Sequence, residues 1–186
     1  MRAKIAAVLC AFILLTGCKS TNEPLDRALE LRNKIAQSSG CSFSATVTAD
    51  YGEKIYIFSM DCKTDQAGDL NFTVTAPATI AGITGSVSST GGAITFDDKV
   101  LAFQTLADGQ VTPVTAPWLF MKALRSGYIK DCSDTETGIQ ISVDDSYAED
   151  ALHLQINTSG NAPVSAEIFW KGRRCLTLTV ENFNYL

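Results

Sequence analysis

The chain has 186 residues, 46% of them hydrophobic and 19% charged, and a formal net charge of -5. It is long enough to bury the core of one domain and too apolar for a disordered chain. The acidic balance excludes a protein that works by neutralising nucleic-acid phosphates.

The first element is an address. Residues 1–18 read MRAKIAAVLCAFILLTGC. Arg2 and Lys4 open it, and an apolar run follows from Ile5 to Leu15. That run is too short for a spanning helix, which needs about 20 residues. It has the form of a secretory signal. Its end, Leu15-Thr16-Gly17-Cys18, resembles the bacterial lipobox, where a signal peptidase cuts before the cysteine. The resemblance implies that residues 1–17 are removed and that Cys18 carries the lipid. Removal leaves 169 residues and, with Arg2 and Lys4 gone, a formal charge of -7. Two or more acyl chains suffice for stable anchoring, whereas one is marginal. The expected location is the extracytoplasmic face of a membrane. Lys19 is compatible with outer-membrane sorting in a two-membrane cell.

Residues 18–23 form a short tether, and the domain is expected over 24–186. Pro24 opens an amphipathic helix. Leu25, Ala28, Leu29, Leu31, Ile35 and Ala36 recur at helical spacing, and Gly40 follows the end. From Cys41 the apolar period changes to two. Eleven strands are expected, at 41–49, 54–62, 69–76, 82–88, 93–97, 99–105, 128–132, 138–143, 151–157, 164–170 and 174–181. One segment breaks the run: APWLFMKALRSG, residues 116–127, a short apolar helix from Pro117 to Gly127. The alternation is one-sided. Leu70, Phe72, Val74 and Ala76 oppose Asn71, Thr73 and Thr75, and Leu152, Leu154 and Ile156 oppose His153, Gln155 and Asn157. An antiparallel meander with one apolar face follows.

Two hairpins can be worked out in register. A turn at Tyr51-Gly52 places Val47 opposite Tyr56, Ala45 opposite Phe58, Phe43 opposite Met60 and Cys41 opposite Cys62. Directly opposed residues lie close enough for a disulfide after a small adjustment. A Cys41–Cys62 bridge is therefore expected and, by elimination, Cys132–Cys175. At the last hairpin, a three-residue loop Lys171-Gly172-Arg173 pairs Ile168 with Leu176 and Ala166 with Leu178, with Gly172 at a positive φ.

No established catalytic motif is present. GxSxG, HExxH, the P-loop and paired CxxC are all missing. His153 reads as a solvated surface residue rather than a general base, with no recognisably spaced nucleophile. Asp144, Asp145, Glu149 and Asp150 lack EF-hand spacing and read as a solvated loop rather than a calcium site. No metal or cofactor is expected.

The element order, with the local stretches YGEKIYIFSMDC, ITFDDKVLAF, APWLFMKALRSGYI and VSAEIFWKGRRCLTLTVENF, resembles the bacterial lipoprotein-localisation (LolA/LolB-like) superfamily. The resemblance implies an α+β fold. Its core is an incomplete, strongly curved antiparallel barrel of about eleven strands, with an N-terminal helix and a mid-chain helix as lid. The concave face would hold a lipid or the acyl chains of a lipoprotein. Phe58, Met60 and Phe72 on the apolar sheet face, with Trp118 and Met121 on the mid-chain helix, are the candidate ligand contacts. The expectation is a non-enzymatic, membrane-anchored lipoprotein. The alternative is an envelope sensor or interaction module that tethers a protein partner and binds no ligand.

Overall fold

The computed structural model describes residues 23–107 and 110–186. Cys18 and the signal segment lie outside the described residues. Helix α1 spans Glu23–Gln37. Strands β1 to β6 follow at Gly40–Asp50, Ile55–Asp65, Leu70–Ala76, Thr84–Ser88, Gly91–Phe96 and Lys99–Phe103. Two short strands, β7 (Leu106–Ala107) and β8 (Gln110–Val111), pair only with each other. A 3-10 turn at Pro113–Thr115 leads into helix α2, Ala116–Ser126. Strands β9 to β13 are Tyr128–Asp134, Ile139–Asp144, His153–Ser159, Ala162–Trp170 and Arg173–Tyr185.

Eleven strands form one open antiparallel sheet in the order β6-β5-β4-β3-β2-β1-β13-β12-β11-β10-β9. The meander closes on itself at β1–β13, which leaves β6 and β9 as its two edges. Alternation sorts the side chains as the sequence implies. Leu70, Phe72 and Val74, Ile139, Ile141 and Val143, and Leu176, Leu178 and Val180 are all buried on the inner face. The β7–β8 ladder has no counterpart in the expected strands, because two-residue strands carry no readable period.

Helix α2 is apolar on nearly every side and is therefore enclosed. Ala116, Leu119, Phe120, Met121 and Ala123 are almost wholly buried against the inner sheet face. Phe120 meets Phe43 edge-on at 6.0 Å, and Phe43 stacks on Phe183 at 5.7 Å. Helix α1 buries a narrower stripe than expected, Ala28, Leu31 and Ile35, while Leu29 stays exposed. It packs on α2, β9 and β10. Arg32 locks the two helices together. Its guanidinium donates to the carbonyls of Leu124 (2.9 Å) and Gly127 (2.8 Å), which the end of α2 would otherwise leave unpaired.

The first hairpin corrects the expected register. Val47 faces Phe58, Ala45 faces Met60, Phe43 faces Cys62, and Cys41 faces Thr64. The connection is four residues, 51–54, not two. The Asp50 carboxylate accepts the Gly52 N–H at 2.7 Å, and the Tyr51 N–H reaches the Lys54 carbonyl. A two-residue slip preserves which face each side chain takes, so the core is as expected while every cross-strand partner changes. Cys41 and Cys62 become diagonal neighbours, too far apart to bridge. Cys132 on β9 and Cys175 on β13 have three strands between them, about 19 Å along the sheet. All four cysteines are free thiols in the structure.

The last hairpin has the expected pairings, Ile168 with Leu176 and Ala166 with Leu178. The device differs. The turn is two residues, Lys171 (φ 50°) and Gly172 (φ 76°), and the register shifts beside Ile168 so that Cys175 is the extra residue of a bulge.

Candidate functional site

All five residues expected to touch ligand lie on the inner side, but as core. Met60 is 0% and Met121 1% exposed, Phe58 and Phe72 are also buried, and Trp118, buried as well, keeps one side on two clefts. The Phe72 ring lies across Gly85, where an added Cβ would come within 2.4 Å of it. The space expected to hold ligand between α2 and β2–β3 is thus filled by side chains.

The inner face is open elsewhere. Register places Ile94 and Phe96 of β5 on the same side as Gly85 and Val87, and Leu101 and Phe103 of β6 opposite Ile94 and Gly92. Ile94 and Phe103 pack on the core margin. Beyond them Phe96 is 60% exposed and Leu101 68% exposed. The Phe103 ring covers Gly92 as Phe72 covers Gly85. Helix α2 does not reach this strip. The signal was present in ITFDDKVLAF, whose inward residues are Ile94, Phe96, Leu101 and Phe103 with Lys99 opposite Phe96, while the described residues hold no second apolar helix to cover them.

Helix α2 bears one polar stripe, Lys122, Arg125 and Ser126, at helical neighbour spacing. Two adjoining clefts lie along it, sharing Ser89, Trp118 and Lys122. The larger, about 280 Å³, is lined by Leu106, Leu119, Leu152 and Trp170 together with Asp145 and Asp150. The smaller, about 220 Å³, adds Gly68, Arg125 and Ser126 and contains no carboxylate. The Lys122 ammonium lies 5.4 Å from the Trp118 ring centre and 3.2 Å from the Asp145 carboxylate. The other Asp145 oxygen accepts the Leu152 N–H at 2.8 Å.

A groove of about 550 Å³ lies on the outer face. Asn71, Thr73, Thr84, Ser86 and Thr95 line it, with Asp61 and Lys63 at one side. Its lining is hydroxyl-rich, with Cys62, Phe72 and Ala93 between the polar side chains.

His153 is better connected than the sequence suggested. Its Nδ1 lies 2.8 Å from the Asp144 carboxylate and its Nε2 3.3 Å from the Ser142 hydroxyl. Lys130, the extra residue of a bulge on β9, pairs with the second Asp144 oxygen at 3.1 Å. Burial pushes the Asp144 carboxyl up, but hydrogen bonds from His153 and Lys130 outweigh it and leave its pKa below the usual carboxylate value. The order Ser–His–Asp has the hydrogen-bond pattern of an activated serine. What acyl transfer further needs is a set of free N–H donors facing the developing oxyanion. Strand β10 is paired on both sides, and Ser142 lines neither of the two clefts nor the outer groove. The cluster therefore ties β9, β10 and β11 together on their outer face. Asp144 and Asp145, expected in a solvated acidic loop, are each held by named partners. Among the described residues no three His, Cys, Asp or Glu side chains are grouped to hold a metal ion.

Burial pushes the thiol pKa of Cys62 far up, with Asp61 adding to it. Burial likewise raises Cys41, Cys132 and Cys175. None has the lowered pKa of a reactive thiolate.

No protein-family model matches the chain, and no curated protein matches it. Solved structures do. A putative outer-membrane lipoprotein-sorting domain from Vibrio parahaemolyticus is 7% identical, with a TM-score of 0.48 over 88% of this chain and 92% of that one. A LolA-superfamily protein from Nitrosomonas europaea is 8% identical, with a TM-score of 0.45 over 86% and 93%. The Mycobacterium tuberculosis lipoprotein LppX is 14% identical, with a TM-score of 0.45 over 89% and 97%. These likenesses concern architecture, and the chemistry has to come from the chain's own side chains.

Proposed function

We propose that the protein is a lipoprotein anchored through Cys18 on the extracytoplasmic side of a membrane, where it holds a hydrophobic ligand, a lipid or the acyl chains of another lipoprotein. The observation that carries the reading is the uncovered inner strip, with Phe96 and Leu101 standing in solvent on the face that is otherwise the dry core. Large apolar side chains exposed together mark a binding surface more often than they mark ordinary surface. The ligand lies along β5–β6 and enters the cleft floored by Trp118, rather than occupying the filled space around Met60 and Met121. Contacts of this kind are tolerant of chain length and carry little hydrogen-bond readout.

A fluorescent fatty-acid probe tests this. The domain without its lipid should take the probe up. Leu101→Ser and Phe96→Ser should weaken uptake, while Val100→Ser, on the opposite face of β6, should not. Absence of uptake, or equal loss in all three variants, overturns the reading. For the anchor, Cys18→Ser should release the protein from the membrane fraction.

A second reading rests on β6 itself. It is an edge strand with one unpaired row of backbone groups, and Val100 on it is 70% exposed. Such an edge accepts an extended segment of a protein partner. A co-purifying protein lost on Ala102→Pro, with probe uptake intact, would favour it.

A further inference from the structure

We infer that the small cleft between α2 and the β2–β3 turn is a subsite for the anionic headgroup, phosphate or carboxylate, of an amphiphilic ligand. This deepens the hydrophobic-ligand reading and rests on it. In a chain of net charge -5, this cleft carries two cations and no carboxylate in its lining. Lys122 and Arg125 stand three residues apart on one stripe of α2, so both project into the same space. Ser89 adds a hydroxyl at its wall, whereas the Ser126 hydroxyl donates to the Lys122 carbonyl at 3.2 Å.

The cations are held in place. Arg125 donates to the carbonyls of Asp65 (3.1 Å) and Gln66 (2.6 Å), which fixes the guanidinium against the turn and leaves further N–H groups unused. Gly68, at φ +94°, lets the turn come this close, since a Cβ there would touch the guanidinium at 3.4 Å. Asp65, the acid of that turn, points its carboxylate into the turn and accepts the N–H groups of Gly68 and Asp69. Lys122 is shared with Asp145 from the adjoining cleft.

The two clefts share Ser89, Trp118 and Lys122 as walls. The smaller cleft has cations and no carboxylate in its lining, and the larger sets Leu106, Leu119, Leu152 and Trp170 beside Asp145 and Asp150. A ligand with an anionic head and apolar chains matches that division. A charge-assisted pair of donors adds orientation, which the acyl strip alone does not supply.

Equilibrium titrations with dihexanoyl phosphatidate, dihexanoylglycerol and inorganic phosphate, followed by tryptophan emission, test the assignment. Phosphatidate should bind about tenfold more tightly than the neutral glyceride, with the preference shrinking in high salt. Inorganic phosphate should bind far more weakly than phosphatidate. K122Q, and more fully K122Q/R125Q, should abolish the preference while affinity for the glyceride is retained. D145N should strengthen phosphatidate binding, because it frees Lys122 and keeps the acceptor for the Leu152 N–H. That opposite change cannot come from a damaged fold. Equal affinity for phosphatidate and glyceride in the unmutated protein, or a preference that survives K122Q/R125Q, overturns the subsite and leaves the hydrophobic-ligand reading standing. Inorganic phosphate binding as tightly as phosphatidate also overturns it, as a free-anion site. Loss of glyceride and phosphatidate binding together removes both readings.

Discussion

The two ends of the sheet carry the same sequence pattern and meet different fates. In β10 and β11, Ile139, Ile141, Leu154 and Ile156 face inward and are wholly or almost wholly buried. In β5 and β6, Ile94, Phe96, Leu101 and Phe103 face inward by the same alternation, yet Phe96 and Leu101 stand mostly in water. The difference is cover. At one end α1 and α2 lie over the strands, and Arg32 binds the helices to each other. At the other, α2 stops short, and the apolar strip is left over. An alternating strand says which side is apolar, not whether anything lies against it.

The comparison breaks most visibly in the core of the covered end. Ile156→Ala should cost about 2–5 kcal/mol in urea unfolding, through lost burial and a cavity. A cost below about 1 kcal/mol would mean that this end is not the closed core described here. Removing the tie between the helices comes next. Arg32→Met should cost about 2 kcal/mol, since it strands helix-end carbonyls that a charged donor now satisfies. At the open end, Leu101→Ser should change stability by no more than about 0.5 kcal/mol, because little apolar contact is lost. A large destabilisation there would show that the strip is packed after all, and would take the ligand reading with it.

The smallest effect is a pH dependence at the covered end. Burial raises the Asp144 pKa, but the hydrogen bonds from His153 and Lys130 hold it below its ordinary value. A depressed folded pKa gives stability that is complete above the unfolded value, about 3.9, and is lost as pH falls through the folded value. The stability gap between wild type and Asp144→Asn should therefore narrow below about pH 4. A gap that stays constant from neutral pH to strongly acidic conditions would show that the cluster does not respond to the charge of Asp144.

Much of the candidate chemistry was legible, though not as partners. Ser142 and Asp144 are two apart on one strand and so share a face, and His153 starts the next strand across a hairpin. Working the register through would have joined them, as it did for Ile168 and Leu176. The Trp118–Lys122–Arg125 stripe was likewise visible at helical spacing. Its second wall was not, because Ser89, Gly68 and Trp170 come from strands and turns far away in sequence.

Local pattern thus determined the two helices, the eleven strands of the sheet, the apolar face of each, and the pairing of the last hairpin, since period and turn residues are properties of neighbours along the chain. Tertiary structure decided the rest. The first turn closes two residues wider than its sequence suggests, which separated Cys41 from Cys62, because loop length follows from how the strands seat on the core. The predicted ligand residues became interior and the outer strands stayed open, because one short helix covers only as much of a curved sheet as its length reaches.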